Sequence, residues 1–388
     1  MKKIFYLFLL MLLPLVASAD PVEIDGLYYE LSSSDGVNTA EVASNPSKYS
    51  GDIVIPESVV YEDVTYSVTS IGYEAFSGCS DLTSVTIPNS VTTIRQWAFS
   101  DCGLTSITIP ESVTSIEYCA FAFSGNLSTI VIPNSVIFID QAAFKDTAWY
   151  EDQPDGLIYA GKVAYKYKGT VPEDTAIEIE EGTVSITGFA FFQQKGVVSV
   201  TMPNSVISVG KSAFDECSSL KTLVLSENLT YIGDTAFSGC ELLTTISIPE
   251  GVTDIYNHTF SNCWRLETIR LPRSIKSIGT WAFFACGMKE GIKEVYCEAT
   301  EVPEADKAFV DAKIENATLY VPESSVDLYK ATAPWSGFGN ILSDSSTGIS
   351  KPQIKSGEQD VYYNVKGHHV ANPTKGLYIR NGKKVIIK

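Results

Sequence analysis

Three histidines are all the imidazole this chain possesses. His258, His368 and His369 lie out of phase with the cysteines, and no Cys-x-x-Cys occurs, so no metal site is expected. Also missing are Gly-x-Ser-x-Gly, a phosphate-cradling glycine loop and His-Glu-x-x-His. Without them the sequence names no catalytic residue and no cofactor-binding residue. Basic residues are scarce, 28 against 46 acidic ones, for a formal charge of −18. Phosphate binding needs a basic face, so nucleic acid is excluded as a partner. The acids are scattered over turns, where they serve solubility. A carbohydrate-active carboxylate pair is the one catalytic arrangement left open, as a lesser alternative. Beyond the first residues no apolar run reaches about 18, so no membrane span is expected.

The N-terminus, MKKIFYLFLLMLLPLVASAD, supplies two lysines, an apolar run and Ala17-Ser18-Ala19. That order is a secretory signal peptide over residues 1–19, with cleavage expected before Asp20. The run is too short for an anchor, and no cysteine follows to carry a lipid. The chain is therefore expected outside the cell.

Repetition is what the sequence has in abundance. Phe76, Phe99, Phe121, Phe144, Phe191, Phe214, Phe237, Phe260 and Phe283 follow one another at 22, 23 or 47 residues. Alanine precedes each except Phe260, which follows Thr259. Each copy carries a Leu-x-x-Ile-x-Ile strand, as in Leu82-Val85-Ile87 and Leu243-Ile246-Ile248. Alternation at the strand end sends residues inward and outward in turn. Proline often follows (Pro88, Pro110, Pro249, Pro272), where the missing N–H suits the end of a strand. A second apolar pair (Val91 and Ile94, Val252 and Ile255) comes next, then Ala-Phe. One coil cannot bury its own apolar edge, whereas stacked coils can, so the period predicts a solenoid. At roughly 4.8 Å per coil it would run on the order of 45 Å.

The stretches LTSVTIPNSVTTIRQWAFSDC and LTTISIPEGVTDIYNHTFSNC resemble the bacterial leucine-rich repeat of BspA-like surface proteins. The resemblance covers roughly residues 53–341. It implies a curved leucine-rich repeat solenoid, mainly β with short irregular or 3-10 turns. It further implies display on a cell and binding of host matrix proteins, mucosal surfaces or neighbouring bacteria.

Cys79, Cys102, Cys217, Cys240, Cys263 and Cys286 each stand three residues after a repeat Phe. Stacked in register, their β-carbons run parallel, which aims them poorly for disulfides. Free, buried thiols are expected. Cys119 and Cys297 fall outside the column.

Partner contacts are sought where the repeat varies. Ser84 and Thr86, Ser106 and Thr108, Ser199 and Thr201, and Thr245 and Ser247 would form an outward hydroxyl ribbon. This is either a polar landing strip or simply the preference of Thr for pleated surface. The double period between Phe144 and Phe191 holds an insertion, residues 145–170, read as a hairpin around Ala160-Gly161-Lys162. It is expected to protrude and to offer Trp149, Tyr150, Tyr159, Tyr165 and Tyr167 as contacts. The alternative is that these rings seal an interrupted coil. A basic island, Arg265, Arg270, Arg273 and Lys276 beside Trp264, could meet an acidic glycan or protein, or pair with neighbouring acids. Three Asp-Thr-Ala tripeptides, from Asp146, Asp174 and Asp234, resemble the O-glycan acceptor of Bacteroidetes exported proteins, though the third falls on the core Ala-Phe column and is read as coincidence.

The expected organisation is a signal peptide (1–19), an N-terminal cap (20–52) and a repeat solenoid (53–299). A C-terminal cap (300–342) and a linker with a β hairpin (343–388) follow. Asn381-Gly382 marks that hairpin. Its segment resembles the C-terminal sorting segments of Bacteroidetes secreted proteins, which implies surface attachment. The function expected is adhesion or recognition of a host or bacterial surface protein or glycan, without catalysis. The alternative is a structural surface-layer component with no dedicated ligand.

Overall fold

The computed structural model describes residues 20–344 and four short strands nearer the C-terminus. These fall into two units, divided between Asp344 and Ser345. The signal segment and the Asn381-Gly382 turn lie outside the described residues. In the second unit Gly376–Arg380 and Lys383–Ile387 pair antiparallel, and Tyr362–Asn364 pairs with Gly376–Arg380.

The first unit is a β-solenoid built from two parallel ladders. One stacks the Leu-x-x-Ile-x-Ile strands: Leu82–Thr86 on Gly51–Val54, and Thr129–Val131 on Ser106–Thr108. Farther on, Thr245–Ser247, Thr268–Leu271, Glu294–Cys297, Thr318–Val321 and Asn340–Ser343 pair in succession. The other ladder stacks the two-residue strands, such as Thr93–Ile94, Ser115–Ile116 and Phe138–Ile139. Strand side chains alternate as the pleat requires. Val85, Ile107 and Ile246 are buried while Thr86, Thr108 and Ser247 are exposed.

Between the ladders runs the phenylalanine column. All nine rings are fully buried, and successive rings lie nearly parallel, as with Phe76–Phe99 (5.0 Å, 2°) and Phe237–Phe260 (5.6 Å, 6°). Each coil also hands its Phe amide to the next, Phe76 N–H donating to the Ala98 carbonyl and Phe99 N–H to that of Ala120, both at 2.7 Å. The column extends past Phe283 to Phe309, at 5.3 Å and 7°. The 26-residue interval hides this tenth member from the period. Its ends are sealed by rings of another type. Tyr49 tilts against Phe76 at 4.9 Å, and the buried Trp335 stands on edge against Phe309 at 5.6 Å. Trp335 donates its indole N–H to the Pro303 carbonyl, so no buried donor is left open.

The cysteine column is free and buried, and so are Cys119 and Cys297. Cys217, Cys263 and Cys286 donate their thiols to the Phe191, Phe237 and Phe260 carbonyls of the coil before, at 3.2, 3.4 and 3.0 Å. Burial pushes the Cys217 thiol up to about 12.

Each Ala-Phe turn has left-handed residues two before and two after the ring. Trp97, Cys119, Ala142, Phe189, Thr235 and Trp281 take φ of 54–60° on the one side, and Asp101, Phe123 and Asp146 take 52–64° on the other. Non-glycine residues pay roughly 1–2 kcal/mol for such backbone. Nothing about these residue types announces it.

Candidate functional site

The stacked coils are interrupted once, between Phe144 and Phe191, and the interruption shapes the surface. The hairpin there, Gly156–Ala160 with Val163–Lys168, does not project as expected. Val163 and Ala164 pair in parallel with Ser185 and Ile186, so its second strand stands in for the missing coil. Tyr165 and Tyr167, two apart on one strand, serve the two flanks. The Tyr165 ring packs on Phe144 at 5.3 Å and that of Tyr167 on Phe191 at 5.9 Å. Tyr167 N–H donates to the Ala190 carbonyl as a column Phe would. Phe144 N–H, with no following Ala carbonyl, donates instead to the Tyr165 hydroxyl at 3.0 Å. The carbonyls of Ile137 and Ile139 are likewise met by side chains, the hydroxyls of Ser185 (2.6 Å) and Thr187 (3.0 Å).

The hairpin residues proposed as contacts are therefore mostly committed inward. Tyr165 is buried, a correction to its expected exposure, and burial raises its hydroxyl pKa. Trp149 packs on Phe144 at 4.9 Å, half-buried, and the Tyr159 hydroxyl accepts from Glu180 N–H at 3.0 Å. Tyr167 is half-buried against Phe191. Tyr150, half-buried, and an edge of Tyr165 border open space.

That space is a cleft of about 500 Å³ beside the interruption. Its aromatic walls come from three coils, Trp97 beside Phe99, Tyr118 and Phe123 (with Cys119) around Phe121, and Phe189 across the gap, joined by Tyr150. Trp97 lies nearly parallel to Phe123 (6.1 Å, 13°) and edge-on to Tyr118 (5.6 Å, 82°). Phe123 is 42% exposed, a large apolar ring left to solvent. Trp97, Phe123 and Phe189 all occupy left-handed turn positions. A ring at such a position sits beside the column without joining the core. Polar groups converge on the same cleft: Gln141, Lys145, Asp146 and Lys166. Lys145 reaches Asp146 at 3.9 Å and lies over the Phe123 ring at 5.3 Å. Lys166 donates to the Phe189 carbonyl at 2.7 Å, and its burial lowers its pKa. Sequence reasoning missed Trp97, Tyr118, Phe123 and Phe189. The available signal was aromatic residues two or three places from the column Phe, in coils adjoining the break.

The basic island is spread over one coil. Arg270 lies on an outward strand position, its guanidinium 3.9 Å from the centre of the Tyr296 ring, which stacks on Tyr320 at 4.7 Å. Arg265 and Arg273 are exposed on the flanking turns, and Trp264 is half-buried with Lys289 over its ring at 5.5 Å. Among the described residues none of Arg265, Arg270, Arg273 or Lys276 forms an ion pair. The expected pairing with neighbouring acids is thus absent there. Of the hydroxyl ribbon, Ser84, Thr86, Ser106, Thr108, Thr201, Thr245 and Ser247 are exposed, and Ser199 is half-buried. His258 is half-buried and meets Trp281 edge-on at 5.0 Å. In the first Asp-Thr-Ala, Thr147 is fully buried and donates to the Phe144 carbonyl at 2.8 Å, which excludes it as a glycan acceptor in the folded chain. Among the described residues no cluster of metal-binding side chains forms, and no helix is long and apolar enough to cross a membrane.

The profile of the BspA type leucine-rich repeat region matches in six copies, over residues 57–152 and 163–289. The gap between them falls on the first strand of the hairpin. No curated protein sequence matches the chain. Among solved structures, similarity extends to the pneumococcal vaccine antigen PcpA, at 17% identity over 84% of this chain and 98% of that one, with a TM-score of 0.44. It extends also to a leucine rich cell surface protein of Faecalibacterium prausnitzii, at 24% identity over 72% and 94%, TM-score 0.35. A leucine-rich repeat protein of T. pallidum is 30% identical over 37% and 67%, TM-score 0.32.

Proposed function

We propose, from the premise that the chain belongs to the BspA-type leucine-rich repeat family, that it is a non-catalytic recognition protein displayed outside the cell. In this reading the repeated residues build an inert scaffold and the cleft at the interrupted coil is the contact region. The observation that carries it is the aromatic wall, half-buried at Trp97 and 42% exposed at Phe123. Trp97 and Phe123 stand at variable turn positions, contribute nothing to the buried column, and face a concave space with convergent polar groups. Concavity, aromatic lining and a few placed polar groups are the ordinary makings of a binding site. Export through residues 1–19 and surface attachment through the C-terminal segment belong to the same proposal. They agree with the printed descriptions of PcpA as a vaccine antigen and of the Faecalibacterium protein as a cell surface protein.

A second contact region is favoured by the Arg270–Tyr296–Tyr320 stack, which presents a cation and two rings on the outward strand face. Probing arrays of matrix proteins, bacterial surface proteins and glycans with the purified chain tests the reading. Saturable binding to at least one class is expected. Silence across all of them would leave the structural-layer alternative in its place.

A further inference from the structure

We propose that the cleft beside the interrupted coil takes a carboxylated sugar, a uronate unit within a glycan chain. The inference rests on the recognition reading above and narrows it to one ligand chemistry at one site.

Two features of the cleft suit a ligand of this kind. The first is the arrangement of rings. An aromatic face carries a negative quadrupole. The C–H bonds of a pyranose are polarised by the oxygen on every ring carbon, so the sugar's flat face is drawn to such a surface while its hydroxyls point outward from the rim. Trp97 and Phe123 stack within 13° of parallel at 6.1 Å, Tyr118 stands edge-on to Trp97, and Phe123 keeps 42% of its surface open for such a contact. Gln141 and Tyr150 also line the cleft and supply an amide and a hydroxyl for sugar hydroxyls to meet. The volume, about 500 Å³, falls within the roughly 300–1,000 Å³ of small-ligand sites.

The second feature is charge. Lys166 lines the cleft half-buried, and among the described residues its ammonium donates to the Phe189 carbonyl. No carboxylate among the described residues lies within ion-pair distance of it. A partly desolvated cation without an anion is costly, and an incoming carboxylate relieves that cost. Lys145 stands on the same wall, and its neighbour Asp146 is 3.9 Å away at half exposure, a weak and screened pairing. In a chain of formal charge −18, two lysines in one aromatic cleft mark a local preference for an anion. A neutral sugar would satisfy the rings alone, and a phosphate would satisfy the lysines alone. A uronate satisfies both.

The test is calorimetric titration of the purified chain with an oligogalacturonate trimer, a hyaluronan tetrasaccharide and the carboxyl-reduced form of each. At least one uronate oligomer is expected to bind, and at least tenfold more tightly than its reduced counterpart. Lys166→Gln should erase that difference while leaving the reduced sugar's affinity in place. Trp97→Ala should weaken both forms tenfold or more, and Trp281→Ala, outside the cleft, should change neither. Thermal denaturation of each variant shows whether the fold is intact, and Phe123→Ala, at an exposed ring, replaces Trp97→Ala if that variant unfolds. Equal affinity for acidic and reduced forms, or affinity indifferent to Lys166, overturns the proposal. So does preferential occupation of the cleft by an acidic peptide. A chain that binds a matrix or bacterial protein on the arrays but no uronate loses this inference alone, whereas a chain silent on every array loses the recognition reading itself.

Discussion

The Phe144 amide donates to the Tyr165 hydroxyl at 3.0 Å, the place where a side chain substitutes for a coil. Everywhere along the regular stack that donor finds a backbone carbonyl one coil on. At the interruption it finds a phenol, held there by a ring contact of 5.3 Å with Phe144 itself. The apolar interior divides into two clusters at this strand, Val163 and Tyr165 belonging to one and Ala164 to the other. One side chain therefore serves both packing and hydrogen bonding at the seam.

Tyr165→Phe keeps the ring and leaves the buried Phe144 N–H without a partner. A loss of about 1–3 kcal/mol is expected in urea denaturation. Tyr165→Ala removes the ring as well and should cost roughly 3–5 kcal/mol. A Tyr165→Phe variant as stable as the parent would show that the hydroxyl contributes nothing to the seam.

Phe237 lies between Phe214 and Phe260, at 5.3 and 5.6 Å, with planes within 4° and 6°. Phe237→Ala opens a cavity that two flanking coils cannot collapse into without breaking their ladders. The expected cost is about 3–5 kcal/mol, read as the shift in denaturation midpoint. A loss under 1 kcal/mol would mean that the column is not a packed core.

The thiols tie stability to pH. Burial first of all, together with weaker neighbouring charges, raises the Cys217 and Cys297 pKa values from 9.0 to about 12 and about 11. A raised folded-state pKa on a neutral acid means that the native state holds its proton longer than the unfolded chain does. Its contribution is complete below about pH 9 and falls as pH rises toward 11–12. Stability should therefore decline between pH 9 and 11, with thiol reagents reacting only as the chain unfolds. Rapid labelling of the column cysteines at pH 8 would contradict their burial.

A methyl group at Gly210 would stand 2.4 Å from the Gly188 amide nitrogen, where two coils touch through bare backbone. Gly210→Ala should cost roughly 1–3 kcal/mol through forced separation of the coils. Thermal melting measures it, and an unchanged midpoint would show that the stack is loose there.

Period and chemistry made much of this architecture legible. A residue that recurs as Phe three places before a cysteine can only be a shared interior position, and both columns are buried. Phe309 escaped because its coil is longer. The hairpin's aromatics were read by type, and type alone does not say which way a ring turns. Tyr165 faces in because an amide of a different coil lacks an acceptor, a fact that exists only in three dimensions. The cleft escaped for a related reason. Trp97, Tyr118 with Phe123, and Phe189 come from three separate coils, and the left-handed backbone that places three of these rings is carried by residues with no glycine to mark it.

The measurement that bears most directly on the division between scaffold and site is array binding by a Trp97→Ala/Phe123→Ala double variant beside the parent chain. The account predicts an unchanged circular dichroism spectrum and at least a tenfold loss of signal for the partner class bound by the parent. Undiminished binding by that variant, with loss instead in an Arg270→Ala/Tyr320→Ala chain, would move recognition to the outward strand face and contradict it.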